Sequence, residues 1–247
     1  MKNKYNFAAR AALFVLALTA AFALNTTAIA QAPPGGYGGT LWYNGDFNGI
    51  NGLANERNTA VTQAAVYDDF NVTGPGWNVT AVFSHNLENT TVTAADWEIR
   101  SGVSEGNAGT LVASGTTNSP LVTLTWCHFG FCEYQVEVTA LNVHLNPGTY
   151  WLNVTPVGNG TGRSFDSTTS GAHCVGTPCG NDQNAFFNST FFGTYFTSTA
   201  NEGQPYDYSM GVIGNVVPEP PPWAMMAMGA VVLVGVQQLR RSGKKAP

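Results

Sequence analysis

Glu133-Tyr134-Gln135-Val136-Glu137-Val138-Thr139 alternates polar and apolar side chains without a break. Neighbouring side chains on a β-strand point to opposite faces, so Tyr134, Val136 and Val138 share one face and Glu133, Gln135 and Glu137 the other. The pattern predicts a half-buried strand. Leu141, Val143 and Leu145 repeat it, and after Asn146-Pro147-Gly148 so do Tyr150, Leu152 and Val154, which predicts an antiparallel hairpin turning at the proline.

Outward from this segment, the same signal predicts strands around Tyr67 to Val72, Asn78 to Ser84, Trp97 to Arg100, Thr110 to Ala113, Leu121 to Trp126 and Tyr206 to Ile213. Abundant Gly, Asn and Thr separate these short apolar runs. Many strands joined by many turns predict an all-β fold, an antiparallel two-sheet β-sandwich that is jelly-roll-like. The Gly35 to Asn55 and Gly158 to Asp182 stretches are glycine-rich or poor in apolar residues and read as loops. No fixed-period repeat points to a solenoid or propeller.

The two ends differ from this middle. Lys2, Lys4 and Arg10 precede an apolar stretch from Ala11 to Leu24, and Ala28-Ile29-Ala30 offers a small-residue cleavage site before Gln31. That order predicts a signal peptide over residues 1–30, with an N-terminal signal helix. At the other end, Val217-Pro218-Glu219-Pro220 is followed by an apolar run and by Arg240, Arg241, Lys244 and Lys245. Residues 223–239 predict a transmembrane helix at the short limit for ~30 Å of hydrocarbon. The basic cluster after it favours a cytoplasmic C-terminus and an exported middle. The organisation expected is therefore signal peptide 1–30, β-sandwich ectodomain 31–215 and tail 216–247.

In its Pro-Glu-Pro motif, hydrophobic helix and terminal basic residues, the tail resembles the PEP-CTERM sorting signal. The resemblance implies recognition by an exosortase-type membrane protease, cutting near Pro218 to Pro220, anchoring in the inner membrane through the C-terminal helix until then, and a host that makes exopolysaccharide. Trp97-Glu98-Ile99-Arg100-Ser101-Gly102-Val103, Gly109 to Gly115 and Pro147 to Leu152 are similar to ectodomains of uncharacterised PEP-CTERM proteins. They imply a β-sandwich and no particular activity.

Between Pro33 and Asn215 three arginines face fourteen acidic residues, a formal charge of −11, and every lysine lies in the terminal segments. Such a surface repels polyanions, which argues against nucleic acid as a partner and leaves neutral glycans and divalent cations open.

Four cysteines form two pairs of equal spacing, Cys127 with Cys132 and Cys174 with Cys179. In an exported chain the expectation is two local disulfides. The competing reading joins them to His128 and His173 around a zinc, but four intervening residues sit at the edge of zinc-knuckle spacing. Asn44-Gly45-Asp46-Phe47-Asn48-Gly49 starts like a calcium loop and then fails, with Asn55 at the twelfth position, so an ordinary Asn-Gly turn is expected. Asp68-Asp69 reads as a solvent-facing pair at a strand's edge. No cofactor motif and no Gly-x-Ser-x-Gly elbow is present. The pairs Asp96 with Glu98 and Glu133 with Glu137 each share a strand face, where solvated charge is the usual account.

Aromatic residues carry the carbohydrate reading, because ring faces pack on C–H-rich sugar surfaces while polar neighbours bond the hydroxyls. Trp42, Trp126 and Trp151 are the candidate glycan contacts, Trp151 because a core-facing Tyr150 would turn it outward. Phe186, Phe187, Phe191, Phe192, Tyr195 and Phe196 crowd one further segment, where alternate members must build the core. The function expected is a non-enzymatic exported surface or extracellular-matrix protein associated with exopolysaccharide. The alternatives are a carbohydrate-binding module and, behind it, a secreted hydrolase.

Overall fold

The computed structural model describes residues 39–128 and 131–219. The signal segment, Pro220, the helix at 223–239 and Arg240, Arg241, Lys244 and Lys245 lie outside the described residues. Within them the chain is all-β: β1 (Thr40–Tyr43), β2 (Phe47–Ala54), β3 (Ala65–Val72), β4 (Trp77–Glu88), β5 (Val92–Ser101), β6 (Thr110–Thr117), β7 (Leu121–His128), β8 (Phe131–Val138), β9 (Val143–Leu145), β10 (Gly148–Gly158), β11 (Ser164–Thr169), β12 (Phe186–Ser189), β13 (Thr194–Ser198) and β14 (Met210–Val216). No helix among these residues is long and apolar enough to cross a membrane.

The strands form two antiparallel sheets. One runs β13-β12-β3-β10-β5-β6. The other is eight-stranded and is built on the long β4, which pairs β14 and β11 along one edge and β9 and β8 along the other. β1, β2 and β7 flank it. Side chains from both inner faces make the core, with Phe70, Leu152 and Val154 from one sheet meeting Val82, Val136 and Val212 from the other. Burying a side chain of this size contributes roughly 1.5–3 kcal/mol, and the core gains these terms from both layers.

The alternation in β8 places Val136 and Val138 in that core as expected. Its other face departs from expectation, because Glu133 and Gln135 are buried while only Glu137 is partly open. Curling of the eight-stranded sheet is the reason. Phe47 on β2 and Trp126 on β7 stand on opposite flanks, yet their rings are 6.1 Å apart.

Three further expectations are corrected. β9 pairs β4, whereas β10 pairs β3 and β5, so Asn146-Pro147-Gly148 is an arch between sheets and not a hairpin turn. Leu145 and Leu152 enter the same core from different sheets, which satisfies the alternation of both strands without pairing them. The Gly35 to Asn55 stretch contains β1 and β2, and Gly158 to Asp182 contains β11. There, small and polar residues supply ladder hydrogen bonds where packing leaves little room. A Cβ on Gly52 would lie 2.9 Å from the Cβ of Phe165 on the paired strand β11.

Asp68-Asp69 is also buried, not solvent-facing. Asp68 points inward from β3, where one carboxylate oxygen accepts from Asn44 Nδ2 at 2.9 Å and from the Tyr208 amide at 2.7 Å. Asn44 in turn opens a turn whose Gly45 has φ +117° and would place a Cβ 2.6 Å from Gly171 Cα. Only glycine fits that approach.

Candidate functional site

The outer face of the six-stranded sheet is divided. At one end Trp151, Tyr67, Phe186 and Phe196 form a second apolar cluster beneath Val103 of the β5–β6 connection. Beside it lies an open cleft of about 360 Å³, lined by Arg57, Gln63, Tyr67, Asp96, Glu98, Ser114, Thr116, Asn153 and Thr155 among others.

Strand register creates this cleft. Asp96 and Glu98 alternate with the core residues Ala95, Trp97 and Ile99 on β5, so both carboxylates face out. Ser114 on β6 stands opposite Glu98, and Thr116 opposite Asp96. Each carboxylate is held by a cation and a hydroxyl. Arg57 donates to Asp96 through Nε at 2.7 Å and Nη2 at 3.1 Å, and Thr116 Oγ1 donates to it at 2.6 Å. Glu98 accepts from Arg100 Nε at 2.6 Å and from the Tyr67 hydroxyl at 2.8 Å. Burial, and then the neighbouring Glu98 charge, drive the Tyr67 hydroxyl's pKa upward, so the hydroxyl stays protonated and donates. The Arg100 guanidinium also lies over the Phe196 ring, 5.2 Å from its centre.

On the floor, Asn153 Nδ2 donates to Val66 O at 2.8 Å, and Thr155 Oγ1 donates to Asn55 Oδ1 at 2.9 Å. The cleft thus presents fixed donors and acceptors of both signs, with its carboxylates already neutralised by arginines. That chemistry suits a neutral hydroxyl-rich ligand better than an ion. Its ring faces are covered, since Tyr67 and Trp97 are both buried.

The tryptophans expected at a glycan site fall into different surroundings. Trp42 is fully buried, stacked 5.4 Å from Phe70 and donating from Nε1 to Pro178 O at 3.1 Å. Trp151 does face away from the main core, but the second apolar cluster covers it and its Nε1 donates to Asn184 O at 3.1 Å. Neither has the exposed ring expected of it. Trp126 is 45% exposed. Exposed aromatic surface also occurs at Phe191, Phe192 and Tyr195, while Phe186, Phe187 and Phe196 of the same segment are buried.

Both cysteine pairs are disulfides, Cys127–Cys132 and Cys174–Cys179. The first joins directly opposed residues of β7 and β8. The second closes a loop between β11 and β12. Oxidised sulfurs offer no thiolate to a metal. His173 Nδ1 lies 2.7 Å from Asp46 Oδ2, and Tyr43 donates to Asp46 Oδ1 at 2.9 Å, which commits the acidic residue of the calcium-like segment to protein partners. Among the described residues no three His, Cys, Asp or Glu side chains converge as metal ligands.

One constellation had no signal in the sequence. Ser209, His85 and Glu133 meet on the curled face of the eight-stranded sheet, all buried. Ser209 Oγ is 3.1 Å from His85 Nδ1 and Glu133 Oε1 is 4.0 Å from that same nitrogen, while Nε2 faces Gln135 Oε1 at 3.4 Å. A serine relay needs serine and acid on opposite ring nitrogens. Burial pushes the His85 pKa down, against the pull of Glu133, so the arrangement reads as packing around a neutral imidazole.

Compared with protein families, curated proteins and solved structures, the chain matches none of them.

Proposed function

We propose that this protein is a non-enzymatic, exported surface or matrix protein: a disulfide-clamped β-sandwich delivered by its N-terminal signal and sorted through Val217-Pro218-Glu219-Pro220 and the basic tail. The supporting observation is the pair of disulfides in one small domain, a feature of chains that fold in an oxidising compartment. In this reading an exosortase-type protease is the processing partner, the inner membrane holds the precursor through the C-terminal helix, and exopolysaccharide surrounds the product. Repeated crossing of the chain between the sheets supports a jelly-roll-like topology. Fractionation of the host tests the proposal. Recovery from envelope or medium is expected, and a cytoplasmic pool of full-length chain would overturn it.

A second reading, a carbohydrate-binding module, is favoured by the cleft over β3, β10, β5 and β6. There the ligand is a neutral glycan bound through hydroxyl groups, without a stacking platform. A glycan array at millimolar ligand, run with wild type and Ser114→Trp to fill the cleft, tests it. Binding that the substitution abolishes supports the module, and a blank array contradicts it.

A further inference from the structure

The dipeptide Asn-Gly occurs four times, at Asn44-Gly45, Asn48-Gly49, Asn51-Gly52 and Asn159-Gly160. It is chemically labile, because glycine lacks the Cβ that would keep its backbone nitrogen from the preceding side-chain amide. Reaction between the two needs an amide free to rotate, a glycine nitrogen not committed elsewhere, and room for the ring they form. The fold withholds these from the first three dipeptides. Asn44 is fully buried, with Nδ2 donating to Asp68 Oδ2 at 2.9 Å and Oδ1 accepting from Gly180 N at 2.9 Å. Asn48 Oδ1 accepts from Ile50 N at 2.8 Å and Thr168 Oγ1 at 2.7 Å, while its Nδ2 donates to Thr169 O at 3.2 Å. Asn51 Nδ2 donates to Gln204 Oε1, and Gly52 is paired with Ser167 in the β2–β11 ladder, where Phe165 and Asp166 crowd it.

Asn159 differs. It is exposed, just past the end of β10, and its side-chain amide has no hydrogen-bond partner among the described residues. Gly160 lies outside any strand, its nitrogen donates to no described carbonyl, and a Cβ built on it meets no atom within 4 Å. The backbone bonds at this dipeptide are long: Asn159 N donates to Thr91 O and Thr59 N to Gly160 O, each at 3.3 Å.

We propose that Asn159 is a site of spontaneous deamidation, with water as the co-reactant. Gly160 N attacks Asn159 Cγ: the N–Cγ bond forms, the nitrogen gives up its proton, and the Cγ–Nδ2 bond breaks to release ammonia, leaving a cyclic succinimide. Water then adds to one ring carbonyl and breaks that carbonyl's bond to the nitrogen. Opening at Cγ yields aspartate, and opening at the Asn159 main-chain carbonyl yields isoaspartate, whose backbone runs through the former side chain. Either product adds a carboxylate at the end of β10. Isoaspartate also lengthens the backbone between the two 3.3 Å bonds, which are the ones to give. The rest of the turn is anchored independently, through Asn58 Nδ2 to Gly162 O at 2.7 Å and Arg163 N to Asn89 Oδ1 at 2.6 Å, so the sandwich survives the change.

The test incubates the unreduced protein in mildly alkaline buffer and follows each Asn-Gly peptide by mass spectrometry, beside a sample held reduced in urea. In the folded protein Asn159 should lose its amide at least about tenfold faster than Asn44, Asn48 or Asn51, whose hydrogen bonds must break first. In urea the four rates should converge, since the fold is what protects the other three. Gly160→Ala should slow the loss at Asn159 and leave the thermal midpoint unchanged, its Cβ having open space. An Asn159 that keeps its amide in the folded protein, a second Asn-Gly that loses its amide as fast, or a disparity undiminished in urea would each overturn the proposal.

Discussion

Asn55 sits where the two sheets approach, with its side-chain nitrogen 3.1 Å from the side-chain oxygen of Asn86 on β4. The same nitrogen is 2.8 Å from Val154 O on β10 and 3.3 Å from Asp166 Oδ2 on β11. Its oxygen accepts from Thr155 Oγ1 at 2.9 Å and Asn153 Nδ2 at 3.2 Å. One fully buried amide therefore ties the layers together beneath the polar cleft. Removing it strands several partners at once.

Asn55→Ala should destabilise the domain by about 3 kcal/mol, the cost of leaving two or more buried polar groups unsatisfied. Urea unfolding measures it. A loss under about 1 kcal/mol would mean that water replaces the amide at no cost.

Gly45→Ala should also be severe. The backbone is left-handed there and the added Cβ would lie 2.6 Å from Gly171 Cα, a backbone atom that cannot turn aside. Strain of about 1–3 kcal/mol from the conformation alone adds to the displacement of the Gly171 loop. A thermal midpoint equal to wild type would contradict the close approach.

Acidic pH should stabilise this protein. Burial, with Asp182 nearby, pushes Asp69 up to about 7, and burial pushes Asp207 up to about 7 and Glu88 up to about 8. Each folded pKa lies above its unfolded value near 4, so the folded state binds protons more tightly. The resulting stability is fully present below the unfolded pKa values and is lost as pH rises through about 7 to 8. The thermal midpoint should fall between pH 5.5 and pH 9, and Asp69→Asn with Asp207→Asn should flatten that dependence. A midpoint that rises over the interval would reverse the sign.

Each disulfide closes a short loop, and chain entropy assigns a loop of that length about 2 kcal/mol. Cys174→Ser/Cys179→Ser should therefore lower stability by about that amount without unfolding the sandwich. Calorimetry under oxidising conditions checks it, and a midpoint unchanged from wild type would show that the bridge is dispensable.

Alternation made the strands legible, from β8 outward to β3, β4, β5, β6, β7 and β10, and even spacing made the two cysteine pairs legible. Pairing partners were not. Leu145 and Leu152 satisfy their alternation equally well side by side or across a core, and only the full set of strands decides. The outer faces of β8 and β10 depart from expectation for a related reason. Trp151 and Glu133 do point away from the main core, but the Val103 segment covers one and the curled sheet encloses the other. A second layer formed by loops and curvature leaves no periodic mark. The burial of Asp68 and Asn55 leaves no local mark, because a buried polar residue is recognisable only by partners distant in the sequence, such as Tyr208 and Asn153.

The most direct test of export and sorting is intact-mass and peptide mass spectrometry on the unreduced protein from its own envelope and medium. The expected chain begins near Gln31, ends near Pro218 to Pro220, and yields Cys127–Cys132 and Cys174–Cys179 as linked pairs. A chain that still carries Trp223 to Arg241 together with free thiols would contradict both the sorting and the oxidising compartment.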